Sequence, residues 1–227
     1  MKENARKLLT IEPPFNFKNG LSFDDPITVA YETLGELNAK KSNAILITTG
    51  LSPSAHIASS EEDESFGWWE NIVGKNKPID TDKYFVICVN SLGSCFGSSG
   101  PSSKSPGTAK RYKLSFPEIS IADIAFSIKP VLEKLKIKKL SAIIGPSMGG
   151  MTALSFIKQF PNITHKLVLI SAAASSRPFS IALRSLQRLM ITSDPDWKAG
   201  DYSDADLPLE GMKHARFLGM ITYRSPT

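Results

Sequence analysis

Gly145-Pro146-Ser147-Met148-Gly149 lies between an apolar run at 140–144 and a segment patterned as a helix at 151–160. Strand, Gly-x-Ser-x-Gly and helix in that order describe a nucleophile elbow, a sharp turn that lifts a serine hydroxyl above the end of a sheet. Small flanking residues relieve the crowding that such a strained turn creates. The backbone N–H of Met148, one residue on, then points to where an acyl oxyanion would form. Ser147 is therefore a candidate nucleophile, and acyl chemistry the first expectation. The plainer alternative is a tight turn whose serine caps the helix.

The rest of the chain supplies a frame for that turn. Apolar runs at 27–34, 43–51, 84–92, 140–147 and 166–173 read as strands. From residue 43 onward they are near-continuous in Ile, Val, Leu and Ala, the pattern of strands buried on both faces. Helical patterns at 121–135 and 151–160 separate some of them. The alternation predicts an α/β fold, a mostly parallel sheet with helices on both sides. Pro130 removes a backbone donor inside the first helix and is expected to kink it. Composition shifts near Ser175, after which only amphipathic helix patterns (179–191 and 209–221) and polar turns remain. Residues 1–174 thus read as the core domain, and residues 175–227 as a helical cap over the C-terminal edge of the sheet, where ligands bind in open α/β folds.

At 227 residues, the chain suffices for one sizeable α/β domain. Its net charge of +5 is a mild basic bias. Lys134, Lys136, Lys138 and Lys139 contribute to it at a helix end and read as a solvated face. With no interleaved aromatics, they argue against nucleic acid. No apolar run approaches the length of a membrane span. Residues 1–12 lack the apolar core of a signal peptide, and two cysteines, Cys88 and Cys95, make no disulfide framework. The expectation is a reduced, cytoplasmic protein.

Other residues bear on chemistry. Leu51 ends the second strand run, where an early strand-to-helix loop can supply a second oxyanion N–H; it also fits a plain buried loop residue. The segment 93–101 is dense in Gly and Ser, so its backbone can approach a ligand or another loop. Cys95 within it has no candidate base and reads as a small packing residue. An activated serine needs a histidine and a carboxylate, in the chain order Ser, acid, His. His165 reads as a solvated turn residue at the end of the sheet opposite the elbow, and His214 sits on a cap helix. His56 precedes the elbow, so its order is wrong for the base, although its loop could touch a ligand. No triad is completed within this sequence.

Three stretches are more specific than a bare elbow. They are Asn90-Ser91-Leu92-Gly93-Ser94-Cys95, Gly97-Ser98-Ser99-Gly100-Pro101-Ser102-Ser103 and Ser147-Met148-Gly149-Gly150-Met151. Through them the chain resembles the homoserine O-acetyltransferase family of α/β-hydrolase-fold acyltransferases, including its serine O-succinyltransferase-like members. The resemblance runs from Val29-Ala30-Tyr31 to Ile221-Thr222-Tyr223. It implies Ser147 as the acyl-accepting nucleophile, with Leu51 and Met148 giving the oxyanion-hole N–H groups. It also implies Arg216 as the group that binds the amino-acid carboxylate, which a guanidinium can grip bidentately. Read without the resemblance, Arg216 fits a surface ion pair.

The implied reaction is ping-pong: an acyl group passes from acetyl-CoA or succinyl-CoA to Ser147, then to the side-chain hydroxyl of serine or homoserine. No bound cofactor or metal is expected. The partners expected are the small-molecule substrates and a second copy of the chain, joined through the cap. The sequence departs from the family pattern at Thr49, Pro53 and Pro146, the last leaning toward the serine O-succinyltransferase-like branch. It also ends inside the cap, before the segment from which the resemblance would draw the catalytic Asp and His. Impaired turnover is therefore expected of this chain by itself. The alternatives are a serine esterase or thioesterase, and a non-catalytic fragment that needs a partner chain.

Overall fold

The computed structural model describes residues 5–225. They form two compact units, Met1–Ala174 and Ser175–Thr227. The first is built on a six-stranded sheet: β1 (Lys7–Ile11), β2 (Ile27–Leu34), β3 (Ala44–Thr48), β4 (Phe85–Val89), β5 (Ala142–Pro146) and β6 (Leu167–Ile170), in the order β1-β2-β4-β3-β5-β6. β4, β3, β5 and β6 run parallel; β2 is antiparallel to β4, and β1 to β2. β1 was not foreseen, because Lys7-Leu8-Leu9-Thr10-Ile11 is half exposed at the sheet edge and too mixed to read as a buried run. Strand order reverses at β3, whose neighbours are β4 and β5. That reversal opens a crevice at the carboxyl ends of β3 and β5.

The period-two alternation of side chains divides the core between the two faces. Ala44, Leu46, Ile87, Val89 and Ile143 meet Ile124, Ile128 and Leu132 of α1 (Ile121–Lys134) and Ala153 and Phe156 of α2 (Met148–Gln159). Ile45, Ile47, Val86, Cys88 and Ile144 face the other way, against Ile57, Ala58, Val73 and Ile79, with Trp68 and Trp69 packed at their margin. Helices expected on both faces are therefore gathered on one in this unit. The irregular segment 49–84 covers the other, because the chain passes from β3 to β4 without a helix.

α1 opens on a capping box. The Asp123 N–H donates to Ser120 Oγ (3.3 Å), and the Ser120 N–H donates to Asp123 Oδ2 (2.8 Å). The helix runs through Pro130 to Lys134. β6 departs from its expected burial on both faces: Val168, Leu169 and Ile170 are exposed. It pairs with β5 alone among the described residues, so its outer edge and much of its apolar surface meet no partner.

The second unit is a helix pair, α3 (Pro178–Thr192) and α4 (Leu209–Thr222), joined by a short 3-10 segment. The face of α4 toward α3 is a stripe of small residues, Gly211, Ala215 and Gly219, spaced four apart. A Cβ on Gly211 would sit 2.4 Å from the Met190 carbonyl oxygen, so the backbones come close there. Gln187 Nε2 donates to the Ala215 carbonyl (2.8 Å), and Asp194 accepts from the Gly211 N–H (2.8 Å). Among the described residues, no helix is long and apolar enough to cross a membrane.

Candidate active site

Ser147 is the link between β5 and α2. Its backbone takes φ +54° and ψ −123°, a left-handed conformation that L-residues rarely adopt and that marks a strained turn. The strain is held by close backbone approach on both sides. A Cβ on Gly149 would lie 2.1 Å from the Thr48 carbonyl oxygen, and one on Gly145 would lie 2.5 Å from the Gly149 carbonyl oxygen. The Ser147 N–H donates to the Ile170 carbonyl (2.9 Å), which ties the turn to the end of β6. The side chain makes no capping bond to α2, and the residue is exposed. A serine serving only as a helix cap would spend its hydroxyl on the helix; this one does not.

Met148 is the first residue of α2, where the leading N–H groups have no partner within the helix and the helix dipole is positive. The end of β3 comes to the same place. Thr48 Oγ1 donates to the Gly149 carbonyl (2.7 Å), and Gly50 approaches the Pro146 carbonyl. Leu51 follows directly, and its side chain is 67% exposed. It is not the buried loop residue that one reading of the sequence allowed, since the loop turns it outward. Ser147, Met148 and Leu51 thus gather at the carboxyl ends of β5 and β3, where strand order reverses.

The Gly/Ser segment at 93–101 turns out to support a strand. The Ala30 N–H donates to Ser98 Oγ (3.0 Å), which itself donates to the Asn90 carbonyl (2.9 Å). The Thr28 N–H donates to Ser99 Oγ (2.8 Å). These small residues thus approach another chain segment, β2. Cys95 is exposed rather than a packing residue, because the turn at 94–97 projects outward between these anchored points.

Arg216 lies on α4 and is exposed. His214, also on α4, lines a groove of about 570 Å³ within the second unit, beside Leu186, Met190, Asp194 and Glu210. His165 is exposed in the turn before β6, at the opposite end of that strand from the elbow. The four lysines near the end of α1 are exposed. Among the described residues no group of three or more His, Cys, Asp or Glu is placed to hold a metal ion.

His56 is the residue whose environment the sequence concealed. It is buried, and its Nδ1 lies 2.9 Å from Glu32 Oε2, on the middle of β2. Its Nε2 lies 2.8 Å from the Ser65 carbonyl oxygen, and Asp63 Oδ2 stands 3.8 Å from Nδ1. Burial by itself would lower the His56 pKa, but the Ser65 carbonyl and the two carboxylates outweigh it and leave it raised. Burial raises the Glu32 carboxyl against the opposing pull of His56. The Ser65 carbonyl only accepts, so Nε2 carries a proton; the Nδ1–Oε2 contact then shares one more. The signal in the sequence was Glu32, the single charged residue of β2, twenty-four positions before its partner.

A mostly parallel sheet that reverses order at β3, with an exposed serine on a left-handed strand-to-helix turn beside that reversal, defines an α/β-hydrolase fold. The chain belongs to that family: the profile for the alpha/beta hydrolase fold matches residues 43–226. A serine O-succinyltransferase of Xanthomonas campestris pv. campestris (strain B100) is 54% identical over 197 residues, which is 87% of this chain and 52% of that protein. The crystal structure of homoserine O-acetyltransferase from Bacillus anthracis is similar with a TM-score of 0.87, at 29% identity over 95% of this chain and 59% of that one. Esterase E22 is similar with a TM-score of 0.86, at 34% identity over 97% and 62%. The chain spans about half the length of the curated relatives it matches.

Proposed function

We propose that this chain carries the nucleophile of an O-acyltransferase that moves a succinyl or acetyl group from acyl-CoA to the side-chain hydroxyl of serine or homoserine. The observation behind this reading is Ser147: exposed, held at φ +54° and free of any capping duty at the mouth of the sheet. Its Oγ attacks the thioester carbonyl carbon, and the negative charge that develops on oxygen is held by the N–H groups of Met148 and Leu51. The C–S bond then breaks, CoA leaves as the thiol with the serine proton, and an ester on Ser147 remains. The amino-acid hydroxyl attacks that ester, passes its proton back to Ser147 and departs as the O-acyl product.

Arg216 is proposed to grip the carboxylate of the acceptor, and Ser175–Thr227 to act as a cap that excludes water during transfer. A general base and its orienting acid are assigned to no residue here, since His56 is committed to Glu32 and Ser65. Phe179, Phe217, Met220 and Ile221 are exposed on α3 and α4, which supports a homodimer joined through the cap. The reading extends to a cytoplasmic enzyme of amino-acid biosynthesis. Likeness to the named transferases favours transfer, and likeness to esterase E22 favours hydrolysis as the second reading.

Product analysis separates the two. The protein, in stoichiometric amount, is held with succinyl-CoA or acetyl-CoA, with and without serine or homoserine. Transfer predicts O-acyl amino acid that disappears in Ser147→Ala. Free acid as the sole product, whatever acceptor is present, overturns transfer and establishes hydrolysis.

A further inference from the structure

The Glu32–His56 pair lies outside the nucleophile's turn, yet it ties together three stretches of chain. Glu32 belongs to β2 and is paired in register with Cys88, on the sheet face covered by the segment 49–84. His56 belongs to the loop after β3. The Ser65 carbonyl, which takes the other ring nitrogen, belongs to a turn closed by Asp63. Ser65, His56 and Glu32 have the outline of a Ser–His–acid relay but not its proton arrangement. Ser65 Oγ lies 3.2 Å from Nε2 but donates to Asp63 Oδ1 at 2.6 Å, and the Ser65 carbonyl takes the Nε2 hydrogen, so Nε2 takes no proton from the hydroxyl.

Such a pair is costly where it stands. Both side chains are removed from water, and Glu32 Oε1 has no hydrogen-bond partner among the described residues. Two apolar side chains of similar volume would fill the same space without that cost. What they would not do is fix one loop conformation through directed bonds at both ends of a ring. The loop in question is the one that carries Leu51.

Upstream of Leu51, Thr49 Oγ1 donates to the Val89 carbonyl at 3.3 Å and contacts Ser91 Oγ at 3.1 Å. Downstream, the Pro53 carbonyl accepts from Asn90 Nδ2 at 3.3 Å and the Ser54 carbonyl from Trp68 Nε1 at 3.1 Å. His56 then closes the loop with its own N–H on Ser54 Oγ (3.2 Å) and its ring on Glu32. Leu51 is exposed, so packing of its side chain does not hold it, and the hydrogen bonds on its two flanks hold the loop. An oxyanion donor must be held to within about 0.5 Å.

We propose that Glu32 and His56 are positioning residues for the oxyanion hole, fixing the downstream end of the loop so that the Leu51 N–H faces the carbonyl held at Ser147. This rests on the reading of Ser147 as nucleophile and Leu51 as donor.

Two measurements on the full chain test it: hydrogen exchange of the amides at 51–57, and the rate at which a fluorophosphonate labels Ser147, read by mass. Glu32→Leu breaks the bridge, whereas Glu32→Gln keeps a hydrogen bond to His56. The expected result is at least about tenfold faster exchange and about tenfold slower labelling in Glu32→Leu, with Glu32→Gln within about threefold of the parent on both. Should Glu32→Leu not fold, the double change Glu32→Met/His56→Leu, which removes both titratable members of the pair, takes its place with the same expected result. Unchanged exchange, or faster exchange with an unchanged labelling rate, overturns the proposal. Failure of the nucleophile reading shows separately, as labelling that persists in Ser147→Ala. The exchange comparison then decides the tether by itself.

Discussion

At the scale of single residues, the elbow is a place where backbone, not side chain, sets the geometry. Ser147 is held at φ +54° because Gly145 and Gly149 let β5, α2 and the end of β3 come within van der Waals contact. Gly149→Ala places a methyl 2.1 Å from the Thr48 carbonyl oxygen, an atom of a central strand that cannot swing aside. The change is expected to destabilise the fold by about 1–3 kcal/mol, read as a lower urea midpoint with an unchanged slope. A midpoint equal to the parent's would show that the contact relaxes freely. This part of the site was legible in the sequence because it is local: five consecutive residues carry the geometry. Glu32 and His56 were not, because their meeting depends on how the segment 49–84 folds back over the sheet. Nothing in the residues around His56 announces that.

At the scale of elements, burial was legible wherever a strand is central and failed where it is not. The runs that became β3, β4 and β5 are apolar because both faces are covered. The run that became β6 has the same composition but lies at the edge, with Val168, Leu169 and Ile170 exposed. β1 was missed for the complementary reason, since an edge strand needs no buried pattern. On α4 the small residues face α3 while Phe217, Met220 and Ile221 face outward, so an apolar period alone did not say which side packs.

The link between β2 and the loop after β3 also carries a pH dependence. Glu32 and His56 both have raised pKa values, so the folded chain holds their protons more tightly than the unfolded chain does. Each contribution to stability is therefore full below that group's ordinary value, 4.5 for Glu32 and 6.5 for His56, and is lost as pH rises through the folded value above it. Between pH 6 and pH 9 the urea midpoint of the parent is expected to fall relative to that of Glu32→Met/His56→Leu. A difference between parent and variant that stays constant, or that moves in the parent's favour toward pH 9, contradicts this.

At the scale of the whole molecule, the sheet's reversal at β3 and the elbow at Ser147 are one feature, since the crevice that the reversal opens is where the turn presents its hydroxyl. The fold class was legible from the alternation of strand and helix patterns, and the strained turn at Ser147 from one motif. The covering of the second sheet face by an irregular segment was not, because loops carry no period. On the proposed reading, the described residues supply a nucleophile at Ser147 and oxyanion donors at Met148 and Leu51. The most direct measurement is the site of acylation: peptide mass spectrometry after incubation with succinyl-CoA, acetyl-CoA or an activated acyl ester. The account predicts one acyl group on Ser147, absent from Ser147→Ala; an acyl group on another residue, or equal acylation in that variant, would contradict it.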